Sequence, residues 1–143
     1  MIPIEDADCV ALAMLHAVCF KESAWSAETF QDFFTSTKWG RITGWMTLEK
    51  AETCGFILAR QVNLECEILT FSVHPDHQGK GIGRALLKKL LETVSGPIFL
   101  EVAVDNGAAI HLYQSEGFKV VGTRPNYYTG KEPKDAYLMR FVV

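Results

Sequence analysis

The sequence predicts an α/β (α+β) chain in which one mixed sheet carries helices on both faces. Three observations support this. Residue periodicity switches between strand and helix values along the chain, giving the order β-α-α-β-β-β-α-β-α-β-β. No linker, repeat or low-complexity segment interrupts that order, so residues 1–143 are expected to form one domain. One apolar strand runs directly into a glycine-rich turn and an amphipathic helix, a connection suited to sheets layered with helices.

The elements follow in order. "MIPI" reads as a short first strand. In "EDADCVALAMLHAVCF", Val10, Ala13, Met14, Ala17 and Val18 recur at helical spacing, and Asp6 or Asp8 stands where a helix starts. In "WSAETFQDFFTS", Ser26 is the expected N-cap, Glu28 lies in the first turn, and Phe30, Phe33 and Phe34 share an apolar face. "RITGWMTLE" and "CGFILARQV" read as strands joined by a polar turn at Glu49 to Thr53, and "CEILTFSV" as a third. In "GIGRALLKKLLETV", Ile82, Leu86 and Leu90 form a stripe flanked by Leu87, Leu91 and Val94. After the Ser95–Gly96–Pro97 break, "PIFLEVAV" is a strand and "NGAAIHLYQSEGF" a helix ending at Gly117. "KVVGTRPNYY" and "DAYLMRFVV" close the chain as two strands around a polar loop.

Composition narrows the function. The net charge of −3 and the lack of a basic run give no footprint for nucleic acid. The longest apolar runs are too short for a membrane span. "MIPIEDADCV" lacks a basic stretch followed by an apolar one, so no signal peptide is read and a cytoplasmic setting is expected. Cys9, Cys19, Cys54 and Cys66 form no C-x-x-C pair and sit in apolar settings, as expected of free cysteines that act as small hydrophobes.

The stretch "SVHPDHQGKGIGRALLKKLLE", residues 72–92, carries the chemistry. Glycine lets backbone amides approach a ligand without Cβ interference, and a helix start adds unpaired N–H groups and a positive dipole end. Together they make a seat for an anion, most naturally phosphate. Lys80, Arg84 and Lys88 recur every four residues and line one side of that helix. The Walker pattern is absent, and Arg84 stands where the dinucleotide fingerprint needs its third glycine. What remains is Q-x-x-G-x-G at Gln78, Gly81 and Gly83, a pattern that also suits any tight strand-to-helix turn.

"ILTFSVHPDHQGKGIGRALLKKLL" resembles the coenzyme-A motif of the GNAT acetyltransferases. "FLEVAVDNGAAIHLYQSEGF" resembles the next strand and helix of that family, and "AWSAETF" and "RPNYY…DAYLM" resemble its branch that acetylates ribosomal-protein N-termini. Ala103, Gly107 and His111 depart from the usual residues of that branch. The resemblance implies the GNAT fold, a mixed and mostly antiparallel central sheet with helices on both faces. It also implies acetyl-CoA as cosubstrate, with its pyrophosphate on Gln78, Gly79, Lys80, Gly81, Ile82, Gly83 and Arg84. Asn106 matches another coenzyme contact.

Acetyl transfer to an amine needs a base for the amine, a donor for the thioester oxygen and a proton for the departing thiolate. Glu101 is the candidate base. It alternates with Leu100 and Val102 in an apolar strand, where a carboxylate would have a raised pKa, although a solvated strand-end Glu fits the pattern equally. The resemblance places the catalytic Glu of the family there. Tyr113 reads as either a core aromatic or a proton donor, and its "LY" match favours the second role, with coenzyme contact. Glu67 shares a strand face with Leu69, Phe71 and Val73 and is a second candidate for the base or for orienting a peptide. Phe71, Ser72 and Val73 would offer an open strand edge to the amides of the pantetheine arm. Trp25, Tyr127 and Tyr128 are packing aromatics or, by the resemblance, border the acceptor groove.

His74 and His77 stand three apart beside Asp76 without a third or fourth ligand, so they read as loop histidines and no metal is expected. His111 reads as a helix-surface residue. The acceptor implied by the resemblance is a protein N-terminal amine, Ala or Ser of a ribosomal protein. A small amine (amino acid, polyamine or antibiotic) and a non-catalytic acyl-CoA-binding module are the alternatives. The chain is expected to be a monomer or weak homodimer.

Overall fold

The computed structural model describes residues 1–36, 38, 40–128 and 134–142, with only the backbone of Tyr128. The strands are β1 (Ile2–Pro3), β2 (Arg41–Glu49), β3 (Glu52–Val62), β4 (Glu65–Val73), β5 (Ile98–Ala103), β6 (Lys119–Tyr128) and β7 (Lys134–Phe141). The helices are α1 (Cys9–Phe20), α2 (Ala27–Thr35), α3 (Ile82–Thr93) and α4 (Gly107–Ser115). This is the element order expected from periodicity. The strands form one sheet in the order β1-β2-β3-β4-β5-β7-β6. Every neighbouring pair is antiparallel except β4 and β5.

Helices cover both faces because β3 is apolar on both. Phe56 and Leu58 join Leu12, Leu15, Phe30 and Phe33 in the layer of α1 and α2. Ile57 and Ala59 point the other way, into the layer of Leu86, Leu87, Leu90, Leu100, Tyr113 and Met139. The run "CGFILA" therefore reads as a doubly buried strand. In α2, Ser26 caps the helix by accepting from the Thr29 N–H at 3.1 Å, and Phe30 and Phe33 are buried.

Helix α1 corrects one expectation. Val10, Met14 and Val18 are not its core face: they are 63%, 68% and 45% exposed. Cys9, Leu12, Leu15 and His16 face the sheet instead. The segment Cys9–Phe20 contains no charged Lys, Arg, Asp or Glu, so its apolar pattern does not single out one stripe. Asp8 is the N-cap residue, but its carboxylate accepts from the Glu5 N–H rather than capping the helix. All four cysteines are free; Cys9, Cys54 and Cys66 are buried and Cys19 is half-buried. Burial pushes their thiols up, Cys66 to about 11, which suits packing rather than reactivity.

Among the described residues, no helix is long and apolar enough to cross a membrane.

Candidate active site

The site begins where the sheet comes apart. Strands β4 and β5 pair only at Cys66–Ile98 and Glu67–Phe99. Beyond Glu67 they diverge, leaving the Ile68–Val73 edge of β4 facing a cleft. A bulge accompanies the divergence: Thr70 pairs with Leu58 but Ile68 with Ala59, so Leu69 has no partner in β3. An extra residue of this kind bends a strand and increases its twist. The cleft is about 990 Å³. Its wall includes Phe20 and Trp25 near the end of α1, Phe71 and Val73 of β4, the glycine turn, Asn106 and Tyr113 around α4, and Tyr127 of β6.

The glycine turn supplies one end. Gly79 and Gly81 have φ of +80° and +81°, in the left-handed region that favours glycine. A Cβ at either would meet nothing within 4 Å, so both face open space. Gly81 is the N-cap of α3 and has no side-chain cap, which leaves the first α3 N–H groups without a side-chain acceptor. Gln78 Nε2 donates to the Val73 carbonyl at 3.1 Å, and Cys19 Sγ donates to the same oxygen at 3.4 Å. The first bond pins the turn, and the second α1, to the end of β4. Gly83 has no positive φ; a Cβ there would lie 3.6–3.7 Å from Phe71, Leu112 and Val73, at ordinary contact distance. The donor set fits a pyrophosphate held by backbone amides.

The expected basic flank is different. Arg84 Nη1 donates to Ser115 Oγ at 2.9 Å and to Glu116 Oε2 at 2.5 Å, and Lys88 Nζ lies 3.8 Å from Glu116 Oε1. The Glu116 side chain is only 12% exposed, and a carboxylate so enclosed needs cationic partners. Two of the three cations thus tie α3 to the end of α4 instead of lining the seat, although Arg84 still borders the cleft. Lys80 stands exposed beside the turn.

Two carboxylates supply the other end. Glu67 pairs in register with Phe99, so Glu101 lies two residues farther along β5 on the same face. Arg60 binds Glu67 Oε2 through Nη2 at 2.7 Å and Nε at 3.1 Å. Arg124 Nη1 donates to Glu101 at 3.1 and 3.4 Å, and its guanidinium lies 4.6 Å from the Tyr127 ring centre. Glu101 does alternate with buried Leu100 and Val102, but its environment is an ion pair rather than an apolar pocket. A second hollow of about 480 Å³ shares Arg60, Glu67, Leu100 and Glu101 with the main cleft, so the cavities meet at the carboxylates.

The remaining expected residues divide. Tyr113 is 7% exposed, has its ring centre 6.2 Å from Phe71 and 5.6 Å from Phe118, and also walls the cleft. Core packing and cleft access are combined in this one side chain. Asn106 caps α4 by accepting from the Ala109 N–H at 3.2 Å and faces the cleft as well. Ser72 is buried beside Cys19, so only its backbone belongs to the open edge. Trp25, Glu67 and Tyr127 wall the cleft, whereas the side chain of Tyr128 lies outside the described residues. Burial, and next the nearby Glu101, push the Tyr127 phenol up.

The sequence model of the Acetyltransferase (GNAT) family matches residues 11–118. The chain belongs to the GNAT acetyltransferase family. Among its relatives, the N-alpha-acetyltransferase RimI of Mycobacterium tuberculosis is 48% identical over 84 residues, 58% of this chain and 52% of that protein. The chain thus spans about half the length of that relative. The ribosomal protein bS18-alanine N-acetyltransferase of Escherichia coli K12 is 33% identical over 120 residues, 80% of this chain and 78% of that protein. The crystal structure of the ribosomal-protein-S18-alanine N-acetyltransferase from Escherichia coli matches with a TM-score of 0.87 at 28% identity, covering 99% of this chain and 92% of that one.

Sequence reasoning missed three side chains at this GNAT site: Arg60, Arg124 and His16. The arginines depend on strand register, which residue spacing does not reveal. His16 is 2% exposed. Its Nδ1 accepts from the Trp25 N–H at 2.9 Å, so the ring is neutral and Nε2–H donates to Thr70 Oγ1, also at 2.9 Å. Burial pushes its pKa down from 6.5 to about 4. The unfolded chain takes up this proton near 6.5 and the folded chain only near 4. The His16 contribution to stability is therefore complete above about pH 6.5. It is expected to fall by up to about 3 kcal/mol as pH drops towards 4. Urea unfolding across that range checks this, with the loss shrinking in His16→Phe.

His74 Nδ1 accepts from the Asp76 N–H at 3.1 Å and its ring lies 5.8 Å from that of His77, as loop histidines. His111 is exposed on α4. Among the described residues, no group of three or more His, Cys, Asp or Glu is placed to hold a metal ion.

Proposed function

We propose that this GNAT chain, acting as one domain over residues 1–143, moves acetyl from acetyl-CoA to the α-amine of a protein N-terminus, with Ala or Ser of a ribosomal protein the favoured acceptor. One observation carries the reading. An amide-lined turn and a pair of carboxylates stand at opposite ends of a cleft floored by an open strand edge. The relatives support the acceptor class, since two are named for N-terminal or ribosomal-protein alanine acetylation.

When bound, acetyl-CoA supplies an activated acetyl thioester. The N–H groups at Gly79 to Arg84, the Gln78 and Lys80 segment and the N-terminal end of α3 hold the pyrophosphate. The edge at Phe71, Ser72 and Val73 would bond the pantetheine amides as a neighbouring strand does, and a backbone N–H near Val73 would donate to the thioester oxygen. Asn106 borders the same arm. Glu101 accepts the proton of the incoming ammonium group, with Arg124 fixing its carboxylate. Tyr113 gives a proton to the departing sulfur. Glu67, held by Arg60, orients the acceptor, while Trp25 and Tyr127 border its path. A cytoplasmic monomer or weak homodimer is consistent with this work.

Thiol release from acetyl-CoA, measured against short peptides beginning Ala, Ser and Met, polyamines, free amino acids and aminoglycosides, tests the proposal. Turnover on Ala- or Ser-starting peptides is expected. Turnover on a small amine alone would remove the peptide assignment, and coenzyme binding without any turnover would favour a binding module.

A further inference from the structure

The most enclosed polar contacts of the cleft wall meet at His16, which the acetyl-transfer scheme does not use. We propose that His16 is a positioning residue that fixes the acceptor-side wall by tying the α1–α2 connection to β4. This rests on the reading of the Trp25 side of the cleft as the acceptor path.

Three segments that share no backbone hydrogen-bond ladder meet at its ring. His16 itself belongs to α1. Nδ1 takes the backbone N–H of Trp25, just before α2, and Nε2–H reaches Thr70. Thr70 directly follows Leu69, the bulged residue where β4 turns away from β5. The bond therefore fixes the wall to the strand at the point where the cleft opens. His16, Trp25 and Thr70 all wall that cleft.

Ring packing alone does not account for a histidine here. The imidazole is stacked with Phe20 at 4.2 Å and Trp25 at 5.0 Å and meets Phe30 edge-on at 5.4 Å. A phenyl ring would serve those contacts. It would leave the Trp25 N–H and the Thr70 hydroxyl without the bonds that His16 supplies, and Thr70 is buried. Only a group that accepts at one position and donates about 2 Å away at another satisfies both partners, as a neutral imidazole or a carboxamide does.

The test compares wild type, His16→Phe and His16→Gln in two readouts. The first is native-state amide exchange at Trp25, with β3 amides as the internal reference. His16→Phe should accelerate Trp25 exchange at least about tenfold relative to β3, the scale of losing one buried bond, and His16→Gln should recover part of the protection. The second is steady-state acetylation of a short Ala-starting peptide. KM for the peptide should rise about tenfold relative to KM for acetyl-CoA in His16→Phe, with partial recovery in His16→Gln. Unchanged Trp25 exchange, or equal rises in both KM values, would overturn the proposal. If His16→Phe does not fold, Thr70→Val carries the same expectations at smaller amplitude. If wild type acetylates no peptide, the acceptor reading fails by itself, and Trp25 exchange alone then supports or overturns the anchoring role.

Discussion

Replacing Glu101 with Gln is expected to lower kcat by about a hundredfold to a thousandfold, the usual worth of a positioned general base. The binding constant for acetyl-CoA should stay within about twofold, because the glycine turn proposed to hold the coenzyme adjoins the Val73 end of β4, away from the carboxylates near its Glu67 end. Glutamine retains the size of the side chain and one oxygen for Arg124, so the change removes basicity with little change of shape. Glu67→Gln is the matched control. Glu67 is bound by two nitrogens of Arg60, and its loss should act mainly on peptide KM. Steady-state kinetics on both variants decides between the two carboxylates: wild-type turnover in Glu101→Gln with collapse in Glu67→Gln would move the base to β4.

Gly81→Val should weaken acetyl-CoA binding tenfold or more without unfolding the protein. A Cβ at this position meets no atom within 4 Å, so the side chain starts into open space. The obstacle is the backbone, since φ of +81° costs an L-residue roughly 1–2 kcal/mol, and more for a β-branched one. Relaxing that angle turns the amides around the α3 N-cap away from the seat. Titration calorimetry with acetyl-CoA measures the effect. Undiminished affinity would show that the turn amides do not hold the coenzyme.

Features carried by local sequence were legible. The alternating periods yielded the full element order, and the glycine turn leading into a helix start was readable because Gly79, Gly81 and the start of α3 lie within a few residues of one another. Features set by distant partners were not. Arg124 reaches Glu101 across 23 positions through the pairing of β5 with β7 and of β7 with β6. Arg84 and Lys88 read as a basic flank of the phosphate seat, whereas Glu116, 32 positions beyond Arg84 in the chain, pairs with both. His16 lies in a stretch apolar on all sides, where no period marks its face, and its partner Thr70 is 54 positions away. The same uniformity hid the true core face of α1. The apolar strand left the role of Glu101 open, only the family resemblance singled it out as the base, and its ion pair had no signal in that strand.

The most direct test of the central claim is to incubate the protein with acetyl-CoA and a peptide that begins with Ala and carries an internal Lys, then locate the acetyl group by tandem mass spectrometry. Acetyl transfer to the α-amine, with the Lys side chain unmodified, is the expected result. Modification of the Lys alone, or none in a protein that binds acetyl-CoA, would contradict N-terminal acetyl transfer as the work of this cleft.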